Sequence, residues 1–140
     1  MELFVLFALT KTPTFDAWAE ELRTQRAPVQ LVHPADLQNH TGFLPVRVQS
    51  RDSGLFFLRH DYGELVALYP ALSNFQVQNP SAYSLGYGGN FDECASAFYS
   101  AAALIRITGG KVFEPQGGIF MSERELIDAA EICLASANGQ

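Results

Sequence analysis

The chain has 140 residues, 48% of them hydrophobic and 17% charged, which suits one compact domain burying roughly two-thirds of its unfolded surface and excludes intrinsic disorder. Nine Lys and Arg against fifteen Asp and Glu give a formal net charge of −6, the wrong sign for a protein that tracks a phosphate backbone or an anionic lipid surface. Nucleic acid and membrane are therefore set aside as partners.

The apolar run Leu3 to Leu9 follows Glu2 and stops at Thr10-Lys11-Thr12-Pro13. It lacks the basic flank and small-residue cleavage pattern of a leader, is too short to span a bilayer, and reads as a buried strand. Thr12 before Pro13 is a helix-start signal, and Phe15, Trp18, Ala19 and Leu22 recur at helical spacing, predicting an amphipathic helix that ends before Ala27-Pro28. Val29 to His33 predicts a short strand, and Leu44, Val46 and Val48, alternating with Pro45, Arg47 and Gln49, predict a half-buried one. Arg51-Asp52-Ser53-Gly54 is a turn cluster before the apolar run Leu55 to Leu58, together proposing a β-hairpin. Glu64 to Leu72 fits helix and strand equally, whereas Phe75 with Val77, and Tyr83 with Leu85 and Tyr87, alternate as strands do.

The last third is mostly helical. Asn90 with Glu93 makes a capping-box-like start, the stripe Phe91, Cys94, Ala95, Phe98, Ala102, Ile105 follows, and Gly109-Gly110 closes the helix. Ala97, Leu104 and Ile107 on its other faces predict burial on most sides. After an extended Lys111 to Glu114, Ser122 and Glu125 form a second capping box. Leu126, Ala129, Ala130, Cys133 and Ala137 then line one face, opposite Glu123, Arg124, Asp128 and Glu131, until Asn138-Gly139. No repeat or linker interrupts the pattern, which predicts a single α+β domain over 1–140, a mainly antiparallel sheet with helices packed on one face.

Cys94 and Cys133 lie far apart on predicted helices and match neither a zinc spacing nor a dense disulfide framework, so a reducing cytoplasm is the default compartment. Asn39-His40-Thr41 fits the glycosylation pattern, which has meaning only in a secreted chain.

The candidate sites are each set against a plainer role. Gly86-Tyr87-Gly88-Gly89-Asn90, between a strand and a helix start, could hold an anion on free backbone N–H groups. Phe91 stands where a dinucleotide fingerprint needs glycine, no P-loop Lys-Ser/Thr pair is present, and Asp92 and Glu93 would repel an anion, which favours a structural turn. His33, Asp36 and His40 would share a face only if Pro34 to Asn39 were helical. In a loop they are solvated polar residues, as is His60-Asp61, so no metal site and no cofactor is assigned. Cys94 sits in an apolar stripe and reads as an inert packed thiol, no G-x-S-x-G elbow is present, and the adjacent acids Glu20-Glu21 and Asp92-Glu93 do not face a common point. Five Tyr, eleven Phe and Trp18 supply aromatic area for a binding surface, though most fall at core-compatible positions. Acidic side chains of the first and last helices, Glu20, Glu21, Glu123, Asp128 and Glu131, could meet a basic protein, or simply keep two amphipathic helices soluble.

One block resembles a known group. Ser84-Leu85-Gly86-Tyr87-Gly88-Gly89-Asn90-Phe91-Asp92-Glu93, then Ala101-Ala102-Ala103-Leu104 and Thr108-Gly109-Gly110-Lys111-Val112-Phe113-Glu114-Pro115-Gln116, is similar to a C-terminal block of small uncharacterised bacterial proteins, some of which look like immunity proteins of polymorphic-toxin systems. The related block carries Asp-Pro-Gln where this chain has Glu114-Pro115-Gln116. The resemblance covers about a quarter of the chain, its elements are mostly structural, and no active residue is carried across. It implies a non-enzymatic protein that binds another protein, as an immunity-type inhibitor does. From the residues, the expectation is a cytoplasmic bacterial domain binding a protein partner through an acidic or aromatic surface. The alternative is a small ligand-binding domain or enzyme with a pocket at Gly86, Gly88, Gly89 and Asn90, near His33 or His60. A homodimer is compatible with either.

Overall fold

The computed structural model describes residues 1–139. Its strands β1 (Glu2–Ala8), β2 (Val29–Leu31), β3 (Gly42–Val48), β4 (Arg51–His60), β5 (Pro80–Gly86), β6 (Lys111–Glu114) and β7 (Ile119–Met121) form one sheet in the order β2-β3-β4-β5-β1-β6-β7. Every neighbouring pair is antiparallel. β1 is unbroken apolar sequence because it lies inside the sheet and is buried on both faces: Leu3, Val5 and Phe7 point to one side, Phe4 and Leu6 to the other.

The first of these faces, here the inner face, carries the three long helices, α1 (Phe15–Thr24), α3 (Phe91–Thr108) and α4 (Glu123–Ala137). Trp18 and Leu22 of α1, and Ala97, Ala101 and Leu104 of α3, share its core with Leu44, Val46, Leu55 and Phe57. α4 contributes Leu126, Ala130 and Cys133, packing chiefly on α3. The outer face has a smaller core of Phe4, Leu6, Ala82 and Phe113 under Leu65, Leu72 and Phe75. Those last three come from the short helix α2 (Tyr62–Leu68) and the 3-10 turn and chain that follow. The α+β expectation holds, with α2 as a partial cover on the second face.

Local signals account for most boundaries. Thr14, rather than Thr12, caps α1, its hydroxyl accepting from the Ala17 N–H at 3.1 Å; Thr12 belongs to the 3-10 turn at Leu9–Lys11. Asn90 Oδ1 accepts from the amides of Asp92 and Glu93, while the Glu93 carboxylate turns back to Gly88 N at 2.9 Å instead of completing a box. The box at Ser122 and Glu125 is complete, and the hydrogen bond from the Ser122 backbone N–H, helped by the Ser122 side chain, pulls the Glu125 carboxyl below the usual range. Gly109 closes α3 in the left-handed conformation, φ 69°.

Three sequence expectations are corrected. Arg51 to Gly54 is no turn: these residues are the first half of β4, paired with Val48 to Pro45. The hairpin turns at Gln49-Ser50, where φ is 48° and 75°, the positive values a two-residue hairpin demands but which neither residue type announces. Phe75 and Val77 form no strand; Phe75 packs in the outer core and Val77 is exposed. Cys94 is no free thiol, because it is bonded to Cys133 with Cα atoms 5.8 Å apart, tying the first turn of α3 to the far end of antiparallel α4. The bridge closes a loop of 39 residues, for which chain-entropy arguments give a stabilisation of about 4 kcal/mol. Reduction by excess thiol should therefore lower the urea midpoint by an equivalent amount. An unchanged midpoint would mean that helix packing alone holds α4.

Candidate functional site

Side chains alternate across a sheet, so burial of Leu44 and Val46 on β3, and of Leu55 and Phe57 on β4, sends their neighbours to the outer face. The register then sets Phe43 opposite Phe56, Pro45 opposite Gly54 and Arg47 opposite Asp52, with Leu58 beside Ser84 of β5. α2 and its 3-10 turn cover β5, β1 and β6, with Phe120 of β7 packed at the margin. The β3–β4 half is left open, and Phe43 is 52% exposed, Phe56 54% and Leu58 37%. The two phenylalanine rings meet edge to face at 5.8 Å. Gly54 makes this possible, because the Phe43 ring lies where a Cβ at Gly54 would stand.

Next to the rings is a shallow hollow of about 480 Å³ bordered by His33, Phe43, Arg47, Asp52, Asn90 and Glu93. Of the sequence-derived ligand residues, His33 and Asn90 thus meet at one place. The glycine turn behind them offers no free anion cradle: the Gly88 N–H is already bound by Glu93, and Asn90 occupies the first amides of α3. Among the described residues no three His, Cys, Asp or Glu side chains gather as a metal site needs. Pro34 to Asn39 is an irregular loop in which Asp36 accepts from Gln38 N and Asn39 Nδ2, so the helical spacing of His33, Asp36 and His40 does not arise.

His60 is elsewhere, at the other end of β4, with Nε2 2.8 Å from Ser84 Oγ and its ring edge-on to Phe4. Ser84 is 2% exposed, so this Ser-His contact ties two strands under cover and presents no nucleophile. Burial lowers the His60 pKa, opposed by the nearby charges of Glu2 and Glu64.

The acids of the helical side prove largely neutralised. Glu20 pairs with Arg23 at 2.8 Å, Glu123 with Arg106 at 3.1 Å and Asp128 with Arg124 at 3.2 Å. Glu21, Glu123 and Glu131 do converge, on a groove between the end of α1 and α4, but Arg26, Arg106 and Arg124 line it too. It is a charge-mixed groove rather than an acidic face.

Comparison with protein-family models, with curated proteins and with solved structures finds no match for this chain. The fold is an α+β domain whose outer sheet face carries an exposed row of Phe43, Phe56 and Leu58.

The depressed pKa of His60 fixes a sign for pH dependence. The unfolded chain takes up a proton near the ordinary histidine value of about 6.5 while the folded chain resists it, so the unfolded state binds more protons in that window. Stability should fall as pH drops through about 6.5 toward the lower folded value. In His60→Gln that part of the slope should vanish from urea melts at a series of pH values; an identical slope would assign it to other groups.

Proposed function

We propose that this chain is a non-enzymatic protein-binding domain that docks its partner on the open β3–β4 half of the outer sheet face. Immunity-type inhibition of the partner, implied by the resemblance of the C-terminal block, is its most specific form. The observation that carries the proposal is the row Phe43, Phe56, Leu58: adjacent large apolar side chains, exposed together while the β5, β1 and β6 part of the same face is covered by α2 and the chain after it. Scattered exposed apolar residues are ordinary, but a contiguous set at the bare part of a sheet is the character of an interface core with a polar rim. The rim here is Arg47, Asp52 and Glu93. No helix is long and apolar enough to cross a membrane among the described residues. In the cytoplasm expected from the sequence, Cys94 and Cys133 would be held as thiols and α4 by packing and its Arg106–Glu123 pair; in an oxidising compartment the bridge would hold it.

The second function, a small-ligand pocket, draws on His33 and Asn90 bordering one hollow. It is the weaker of the two because the amides that would grip an anionic ligand are already satisfied.

Tagged chain exposed to lysate of its source cell should retain one protein at near-equal stoichiometry. Phe43→Asp and Phe56→Asp should lose it while keeping the wild-type melting temperature, since both positions are exposed. Charge reversal at Glu123 and Glu131 should leave it bound. Loss with the helix variants and retention with the sheet variants would move the interface to the α1–α4 groove.

A further inference from the structure

Resting on that docking surface, we infer that the occupant of the open sheet face is a cationic segment of a partner protein, with an arginine stacked on the Phe43–Phe56 pair and drawn to Asp52. Three observations converge on a positive partner. First, the rings are half exposed and stand edge to face, so aromatic π-surface is presented to solvent, which attracts a guanidinium more strongly than an ammonium.

Second, the charged groups on this side of the sheet are unequal. Asp52 lies on the outer face of β4, Glu93 borders the hollow, and Glu2 occupies the outer-face position of β1 opposite Gly86. Arg47 and, farther along the same face on β6, Lys111 oppose them. Asp52 is only loosely held: its side chain is 92% exposed and 3.5 Å from Arg47 Nε, a contact that leaves carboxylate oxygen free for a second cation.

Third, the whole chain carries −6, so its long-range field draws positive partners toward the surface and repels a second copy. Face-to-face pairing of two copies across a two-fold axis would bring two such acidic rims together. The sign likewise disfavours nucleic acid.

A displayed library of random dodecapeptides, panned on the immobilised full-length chain, tests this. The expected result is enrichment of peptides that combine Arg with apolar residues. Their synthetic copies should bind in titration calorimetry, weaken as salt is raised, and lose at least about tenfold in affinity to both Phe56→Asp and Asp52→Arg. The second variant changes a fully hydrated side chain, so the test stands even if the first fails to fold. Enriched peptides that are neutral or acidic yet lost in Phe56→Asp would overturn the cationic partner and leave the docking face in place. Peptides indifferent to Phe56→Asp, or no enrichment at all, would overturn both. A dimer in light scattering that Phe56→Asp dissolves would also overturn the proposal, assigning the face to a second copy.

Discussion

Helix α3 must be buried on almost every side, and the other elements are arranged to do it. Its run Ala95 to Ala103 carries small side chains with few exceptions, so the sheet beneath, α1 beside it and α4 above can each approach closely. The closest tie is specific: the buried Trp18 Nε1 of α1 donates to the backbone carbonyl of Ser100 at 3.1 Å, satisfying an indole N–H that would otherwise be stranded in the core. With α1, α3 and α4 all drawn to one face, the inner side of the sheet has no surface left to offer.

On the outer face the apolar cover is incomplete for a structural reason. α2 is short, and with its 3-10 continuation it packs over β5, β1 and β6 on the far side of β5 from β4, leaving β4 and β3 uncovered. Leaving Phe43 and Phe56 half exposed forgoes about half of the roughly 1.5–3 kcal/mol that full burial of each aromatic side chain would bring. The helical acids have a different character. Glu20, Glu123 and Asp128 are exposed but pair with Arg23, Arg106 and Arg124, so that side of the molecule is charge-mixed.

Much of this architecture could be read from the chain because it rests on local signals. The apolar run of β1, the periodicity of α1, α3 and α4, the Asn90 and Ser122 caps and the Gly109 stop depend on neighbours within a few residues. What was hidden depends on pairing. Gln49-Ser50 turns the hairpin without a glycine or asparagine to mark it, which displaced the turn into β4. Cys94 and Cys133 become neighbours only when α3 and α4 run antiparallel. The aromatic row was half legible: the alternation of Leu44, Val46 and Val48 already put Phe43 out of phase with the core. Its meeting with Phe56 required the register, and the bareness of both required knowing how far α2 reaches.

The central claim is that recognition belongs to the open β3–β4 face and not to the helices. Backbone amide NMR of the 15N-labelled chain, titrated with its stoichiometric partner, addresses it directly by mapping which resonances move on binding. The expected result is a contiguous set of shifts at residues 43–47 and 52–58, extending to 86–93, with α1 and α4 quiet. Shifts concentrated at residues 20–26 and 123–131, with β3 and β4 unmoved, would contradict it.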